Sequence, residues 1–304
     1  MTFKHEPVML NEVLENVYCE GSAVYLDLTS GGGGHAGAFI NKYPEVTAVL
    51  LDRDGDAVEH LKDKFKDESR VKVVRSKFSE LDKALFLLQS KKPDMIFADL
   101  GVSSHQLDVA GRGFSIMKDG PFDMRMDQRQ EDSALDYIKK TSAPDIKNIL
   151  SIYAQEREAG KISRVLKECV DDGLETTSEI AARIRVAKKY AKKSLDPATL
   201  VFMAIRMAVN DEIGEIEKML KKAFVALSEK GVMGVITFHS TEDRVVKNFF
   251  RDRKQGVPFY SDADELIPFA YGKVEVSKVI GPSTEEVALN PRSRSAKLRV
   301  LRKV

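Results

Sequence analysis

Val24-Tyr25-Leu26-Asp27-Leu28-Thr29-Ser30-Gly31-Gly32-Gly33-Gly34-His35 decides the fold. Val24 to Thr29 is a short, largely apolar run that predicts a buried strand, the glycines end it, and Ala36 to Tyr43 continues as a helix. Moving outward, Thr47 to Asp52 predicts a second strand, followed by a helix from about Asp56 to Phe65. Val71 to Val74 and Asp94 to Asp99 predict the third and fourth strands, with the helical Glu80 to Gln89 between them. Strands separated by single helices imply βαβ units and a parallel sheet.

After Asp99 this rhythm stops. About 130 residues pass before the next convincing strand, Val232 to Phe238, where a crossover ordinarily takes a few tens. Asp132 to Lys193 has helical periodicity, with breaks expected at Pro144, Gly160 and Gly173, and predicts a small helical insert. The sheet pattern then resumes. Pro197 to Val209, Glu212 to Glu229 and Ser240 to Arg251 read as helices, and Val274 to Ile280 with Leu298 to Arg302 as a closing strand pair. Ser240 and Asp243 have the spacing of a capping box.

The 304 residues are 43% hydrophobic and 31% charged, a composition able to fill a globular core. Collagen-like, low-complexity and disulfide-framework classes are excluded. With 48 Lys and Arg against 47 Asp and Glu, the formal net charge is +1, so a nucleic-acid partner has to be held by local clusters of bases. Cys19 and Cys169 are too few for a framework and lack paired zinc spacing, which predicts reduced thiols, no metal and a cytoplasmic location. No secretory leader or membrane-spanning run is expected.

The glycines let backbone approach a ligand, and the helix behind them directs unpaired N–H groups at an anion, although such turns also serve tight packing alone. Asp52 ends the next strand, 21 positions after Gly31, where a carboxylate can accept from both ribose hydroxyls. An adenosine compound is therefore expected. Spacing leaves open whether it is a nicotinamide dinucleotide or S-adenosylmethionine, and whether His35 binds a carboxylate or caps the helix. Asp99, at the end of the fourth strand, is expected beside the same crevice.

Leu26 to His35, Leu51 to Asp54, Asp99 to Asp108, Arg112 to Ser115, Asp119 to Asp127, Phe238 to Arg244 and Asn290 to Ser295 together resemble the RsmH (formerly MraW) family of bacterial methyltransferases, in the same order along the chain. The resemblance runs from His5 nearly to the C-terminus and implies a Rossmann-like class I methyltransferase sheet with an inserted helical subdomain. Its domain would be discontinuous over 1–125 and 196–304, with a substrate-recognition insert over 126–195. It implies methyl transfer from S-adenosylmethionine to the exocyclic N4 of a cytidine in the decoding centre of 16S rRNA, with that rRNA in the small ribosomal subunit as the partner. For the cofactor it implies Gly33, Gly34 and His35 at the methionine end, Asp52 at the ribose, and Phe78, Asp99 and Gln106 near the adenine and sulfonium. Two positions depart from the family pattern: Ser30, more often apolar, and His105, usually proline, which would loosen the turn carrying Gln106.

In-line transfer to nitrogen needs alignment and a group accepting the amine N–H; Asp99 is the candidate catalytic carboxylate. Phe114 and Phe122 are candidates for stacking on an extruded base, against the commoner role of loop anchor. Arg183 to Lys193 and Asn290 to Val304 each carry six bases and no acid; either could face RNA or be solvated surface. Within the family motifs, Arg112, Arg125, His239, Arg292 and Arg294 are RNA-binding candidates, His239 also weighing as a general base or a turn residue. A nicotinamide-dependent oxidoreductase and a non-catalytic ribosome-assembly factor are the competing functions. Oligomeric state, a dimer included, is open.

Overall fold

The computed structural model describes residues 7–21, 24–89, 91–188, 195–260, 266–267 and 273–304. They form two compact units, Met1–Gly101 with Ile213–Val304, and Val102–Glu212.

The first unit is built on a seven-stranded sheet. Its strands are β1 (Val24–Asp27), β2 (Thr47–Asp52), β3 (Val71–Arg75), β4 (Met95–Asp99) and β5 (Val232–Thr237), followed, after a short β6 (Phe259–Tyr260) and β7 (Leu266–Ile267) pair, by β8 (Val274–Val276) and β9 (Lys297–Lys303). The order is β3-β2-β1-β4-β5-β9-β8. Strands β1 to β5 are parallel, and β9 runs antiparallel between β5 and β8. The order reverses between β1 and β4, which opens a crevice at the carboxyl ends of those strands.

Alternating side chains supply two cores. Leu26, Val49, Leu51, Ile96, Ala98, Met233 and Val235 face the helices Glu212–Ala226 and Ser240–Lys254 through Met219, Leu220, Val246 and Phe250. Tyr25, Ala48, Leu50, Met95, Phe97 and Ile236 face the helices Leu10–Asn16, Gly34–Lys42 and Gly55–Lys64 through Val13, Phe39 and Leu61. Burial on both faces is why these strands read as continuous apolar runs.

The second unit is helical, with Ala134–Lys140, Ala143–Ala154, Ala159–Asp171, Thr177–Ala187 and Thr199–Val209 around one core. Three of the helices begin with side-chain caps, Ser133, Ser142 and Thr176. Pro144 and Gly160 sit in first helical turns, not at breaks, because proline is accommodated where N–H groups lack intrahelical partners. Gly173, at φ +73°, does follow a helix end.

The compact unit is wider than the expected 126–195. Phe114, Phe122 and Met124 precede that span, Val201, Phe202 and Ile205 follow it, and all lie in the helical core. Phe114 and Phe122, 7% and 2% exposed, anchor that core instead of standing ready to stack on a base. Part of the basic run Arg183 to Lys193, from Lys189 onward, lies outside the described residues.

The expected Ser240–Asp243 capping box does not form. His239 occupies the N-cap position and there is no side-chain cap bond. Glu242 Oε2 accepts the Phe238 N–H at 3.0 Å, while Asp243 turns to Arg299 and Lys297. Two cations across the strand outcompete one backbone N–H for that carboxylate.

Candidate cofactor and active site

The strand-to-helix turn after β1 is held from behind. Gly33 has φ +69°, and a Cβ there would lie 2.7 Å from Leu61 Cδ2 and 2.9 Å from Phe65 Cε2. Lys64 Nζ donates to the carbonyls of Gly32 and Gly33, both at 2.8 Å. The turn is also tied through its amides: the Gly33 N–H donates to the Ser30 carbonyl at 2.7 Å. Burial lowers the pKa of Lys64. Sequence reasoning missed Lys64, whose only signal was its place in the last turn of the following helix.

Asp52 is tied to the turn: its Oδ2 accepts the Gly31 N–H and its Oδ1 the Asp54 N–H, each at 2.8 Å. The expected carboxylate thus ends β2 directly beside the glycines, and each oxygen retains a lone pair for a ligand hydroxyl. Burial lifts its pKa to about 6. Phe78 is half-buried in the turn after β3, with the Arg53 guanidinium 5.9 Å from its ring centre.

The rim of β1, β4 and β5 gathers carboxyls. Asp27, 1% exposed, accepts from the Tyr25 hydroxyl and the Thr29 N–H at 3.1 Å each. Burial lifts it to about 7. The Asp99 N–H donates to the Thr29 hydroxyl at 2.6 Å, and Asp99 Oδ1 is sealed from solvent with no hydrogen-bond partner among the described residues. Burial, then Asp27 and then Glu242, push the Asp99 carboxyl well above the usual range. Glu242 is fully buried, and its Oε1 lies 2.9 Å from His239 Nε2. Asp27 and Glu242 were not among the sequence candidates; an acid inside an otherwise apolar strand was the available signal for Asp27.

His35 is 7% exposed, with Nε2 2.9 Å from the Val8 carbonyl and its ring against Phe97. That nitrogen is committed to the N-terminal segment and is not open to a ligand. Ser30 is compatible with the turn: its hydroxyl donates to the Asp27 carbonyl at 3.3 Å.

In the helical unit, Gln106 is 5% exposed, its Oε1 accepts the Ser103 N–H, and Ser103 Oγ accepts the Gln106 N–H. This reciprocal cap replaces the rigidity of a proline, so His105 does not loosen the turn. Arg112, 3% exposed, donates through Nη2 to the carbonyls of Arg125 and Met126 at 3.0 Å each. That guanidinium is buried on backbone acceptors and ties the Arg125–Met126 stretch to Arg112. Arg125 makes a two-pronged pair with Asp123, at 2.8 and 2.7 Å, and donates to the Gln130 carbonyl. Arg292 and Arg294 are exposed beside β9.

Residues 2–304 match the model of the MraW methylase family. The chain belongs to that family. Ribosomal RNA small subunit methyltransferase H of Clostridioides difficile is 40% identical over 100% of both chains. The proteins of that name from Coprothermobacter proteolyticus and Syntrophus aciditrophicus are each 37% identical, over 99% of this chain and 96% and 98% of theirs.

The MraW methylase is thus an enzyme using S-adenosylmethionine, and the nicotinamide and non-catalytic alternatives fall away. Its first unit fits that cofactor on structural grounds: a glycine turn whose carbonyls are tied back by Lys64, Asp52 beside it, and a sealed Asp99 oxygen, without a hydrogen-bond partner among the described residues, at the switch between β1 and β4. No helix among the described residues is long and apolar enough to cross a membrane.

Proposed function

We propose that this MraW methylase transfers a methyl group from S-adenosylmethionine to the exocyclic N4 of a cytidine in the decoding centre of 16S rRNA, acting in the cytoplasm on the small ribosomal subunit. The observation that carries the chemistry is the sealed Asp99 Oδ1 at the end of β4, an acceptor without a donor among the described residues. S-adenosylmethionine, when bound, supplies a methyl group activated on a sulfonium.

Asp52 would accept hydrogen bonds from the ribose hydroxyls, Gly33 and Gly34 are assigned to the methionine end from the family pattern, and Phe78 would cover the adenine face. The amine of cytosine is a weak nucleophile because its lone pair is delocalised into the ring. Asp99, accepting one amine N–H through Oδ1, would favour the pyramidal, attacking geometry of the nitrogen. Its low-dielectric surroundings strengthen that contact. The proton left on nitrogen after transfer is acidic and can pass to water without a dedicated base. The helical unit, over 102–212, is assigned to recognising the RNA.

Incubating the protein with labelled S-adenosylmethionine and small subunits lacking the modification, then mapping the label, tests this directly. Label on a cytidine N4 supports the proposal; label on a ring carbon or ribose oxygen refutes it.

A further inference from the structure

Where β5 ends and β9 begins, the first unit has a cavity of about 450 Å³ that the cofactor residues do not use. His239, Ser240, Val279, Pro282, Arg294 and Lys297 are among its walls, and among the described residues no acidic side chain is. Because β9 is antiparallel to β5, pairing Thr237 with Lys297, the cavity opens at the same carboxyl edge as Asp27, Asp52 and Asp99. It lies past β5, on the side away from the glycine turn.

Its charge follows from the pairing around it. Asp243 takes both Arg299, at 2.7 Å, and Lys297, at 3.2 Å. Burial would raise that carboxyl, but the hydrogen bonds from Arg299 and Lys297 prevail and hold it below the usual range. One carboxylate between two cations leaves a positive surplus. Arg294 adds to it, being exposed and in no ion pair among the described residues. Glu242 does not cancel the surplus at the cavity wall, since it is fully buried on the Phe238 N–H and beside His239. Ser240 and Ser295 contribute hydroxyls, and Val279 and Pro282 form an apolar wall.

We infer that this cavity is a phosphodiester subsite, taking one backbone phosphate of the substrate RNA on Arg294 and Lys297 while the target base reaches the rim at β4. The inference rests on the proposed action on rRNA. It assigns a place, a charge and a lining to one contact, and separates Arg294 from Arg112 and Arg125, whose guanidinium groups are engaged inside the helical unit.

Two variants of the full chain test it. Arg294→Ala removes one cation. Ser240→Glu puts a carboxylate at the cavity mouth while favouring the helix it begins, since acids suit first turns, so weakened binding would not reflect a damaged fold. Affinity for rRNA of unmodified small subunits is measured between 50 and 200 mM salt, alongside calorimetry with S-adenosylhomocysteine. Arg294→Ala is expected to weaken RNA binding several-fold and to flatten the log K against log salt slope by about 0.7, one phosphate contact. Ser240→Glu is expected to weaken it at least as much, with S-adenosylhomocysteine affinity unchanged in both. Wild-type RNA affinity in either variant overturns the subsite. So does tight binding of cytidine monophosphate alone with RNA affinity unaffected by the substitutions, which would mark a free-nucleotide pocket. If the variants behave as expected but the wild type transfers no methyl group, the subsite stands and the proposed reaction falls.

Discussion

Two glycines four residues apart should respond to the same substitution with opposite signs. Gly33→Ala places a methyl 2.7 Å from Leu61 Cδ2 and 2.9 Å from Phe65 Cε2, on a backbone at φ +69°. The left-handed conformation costs an L residue about 1–2 kcal/mol, and forcing a methyl into a filled site about 1–3 kcal/mol. The reduced entropy of the unfolded chain returns at most about 1 kcal/mol, so a net loss of roughly 1–4 kcal/mol is expected. Gly37 lies within the helix Gly34–Lys42, and its added Cβ would meet nothing nearer than Lys64 Nζ at 3.8 Å. Alanine there gains about 0.5–1 kcal/mol from helix propensity. Urea unfolding followed by circular dichroism measures both, and calorimetry with S-adenosylhomocysteine reports on the turn. Gly33→Ala should lower the unfolding midpoint and weaken the ligand, whereas Gly37→Ala should raise the midpoint and leave the ligand unchanged. Equal shifts of the same sign would refute the packing account of the turn.

Asp99→Asn should lower the single-turnover methylation rate about 10²-fold at saturating cofactor, the scale of losing one preorganised electrostatic contact; an unchanged rate would reduce Asp99 to a binding residue. Asp27 has a folded pKa of about 7 against an ordinary 3.8. Its contribution to stability is therefore full below about pH 4 and is lost as pH rises through 7, with a slope of at most about 1.4 kcal/mol per pH unit. Asp27→Asn should flatten the urea midpoint over that window, and an unaltered profile would exclude Asp27 as its source. Arg112→Ala strands two carbonyls and should destabilise the helical unit by about 2–4 kcal/mol without altering the salt slope of RNA binding. A changed slope at native stability would return Arg112 to the RNA interface.

The parallel half of the sheet is legible because β1, β2 and β4 are buried on both faces and bounded by breakers, so apolar runs and turns mark them without tertiary knowledge. Asp52 and Asp99 are legible for a related reason, each being a single acid ending such a run. The edges of the helical unit are not, since Phe114 and Phe202 join one core only through three-dimensional packing. Nor is Arg112, whose partners are backbone carbonyls with no side-chain signature. Asp243 has the spacing of a cap, but it pairs with Arg299, 56 positions away in the chain. Local pattern says which interactions are available, while competition among distant partners decides which are made.

The β4–β5 pairing joins Met95 to Val232, across an excursion that contains the whole helical unit. Folding has to bring these strands into register from far apart, and such contacts form slowly relative to local helices. The unit between them carries its own core and short-range caps, so it can condense first and draw the two halves of the sheet within reach. Refolding should then show a fast rise in helicity followed by a slower step that completes the sheet, and destabilising substitutions at Phe122 or Ile162 should slow the second step although neither residue belongs to it.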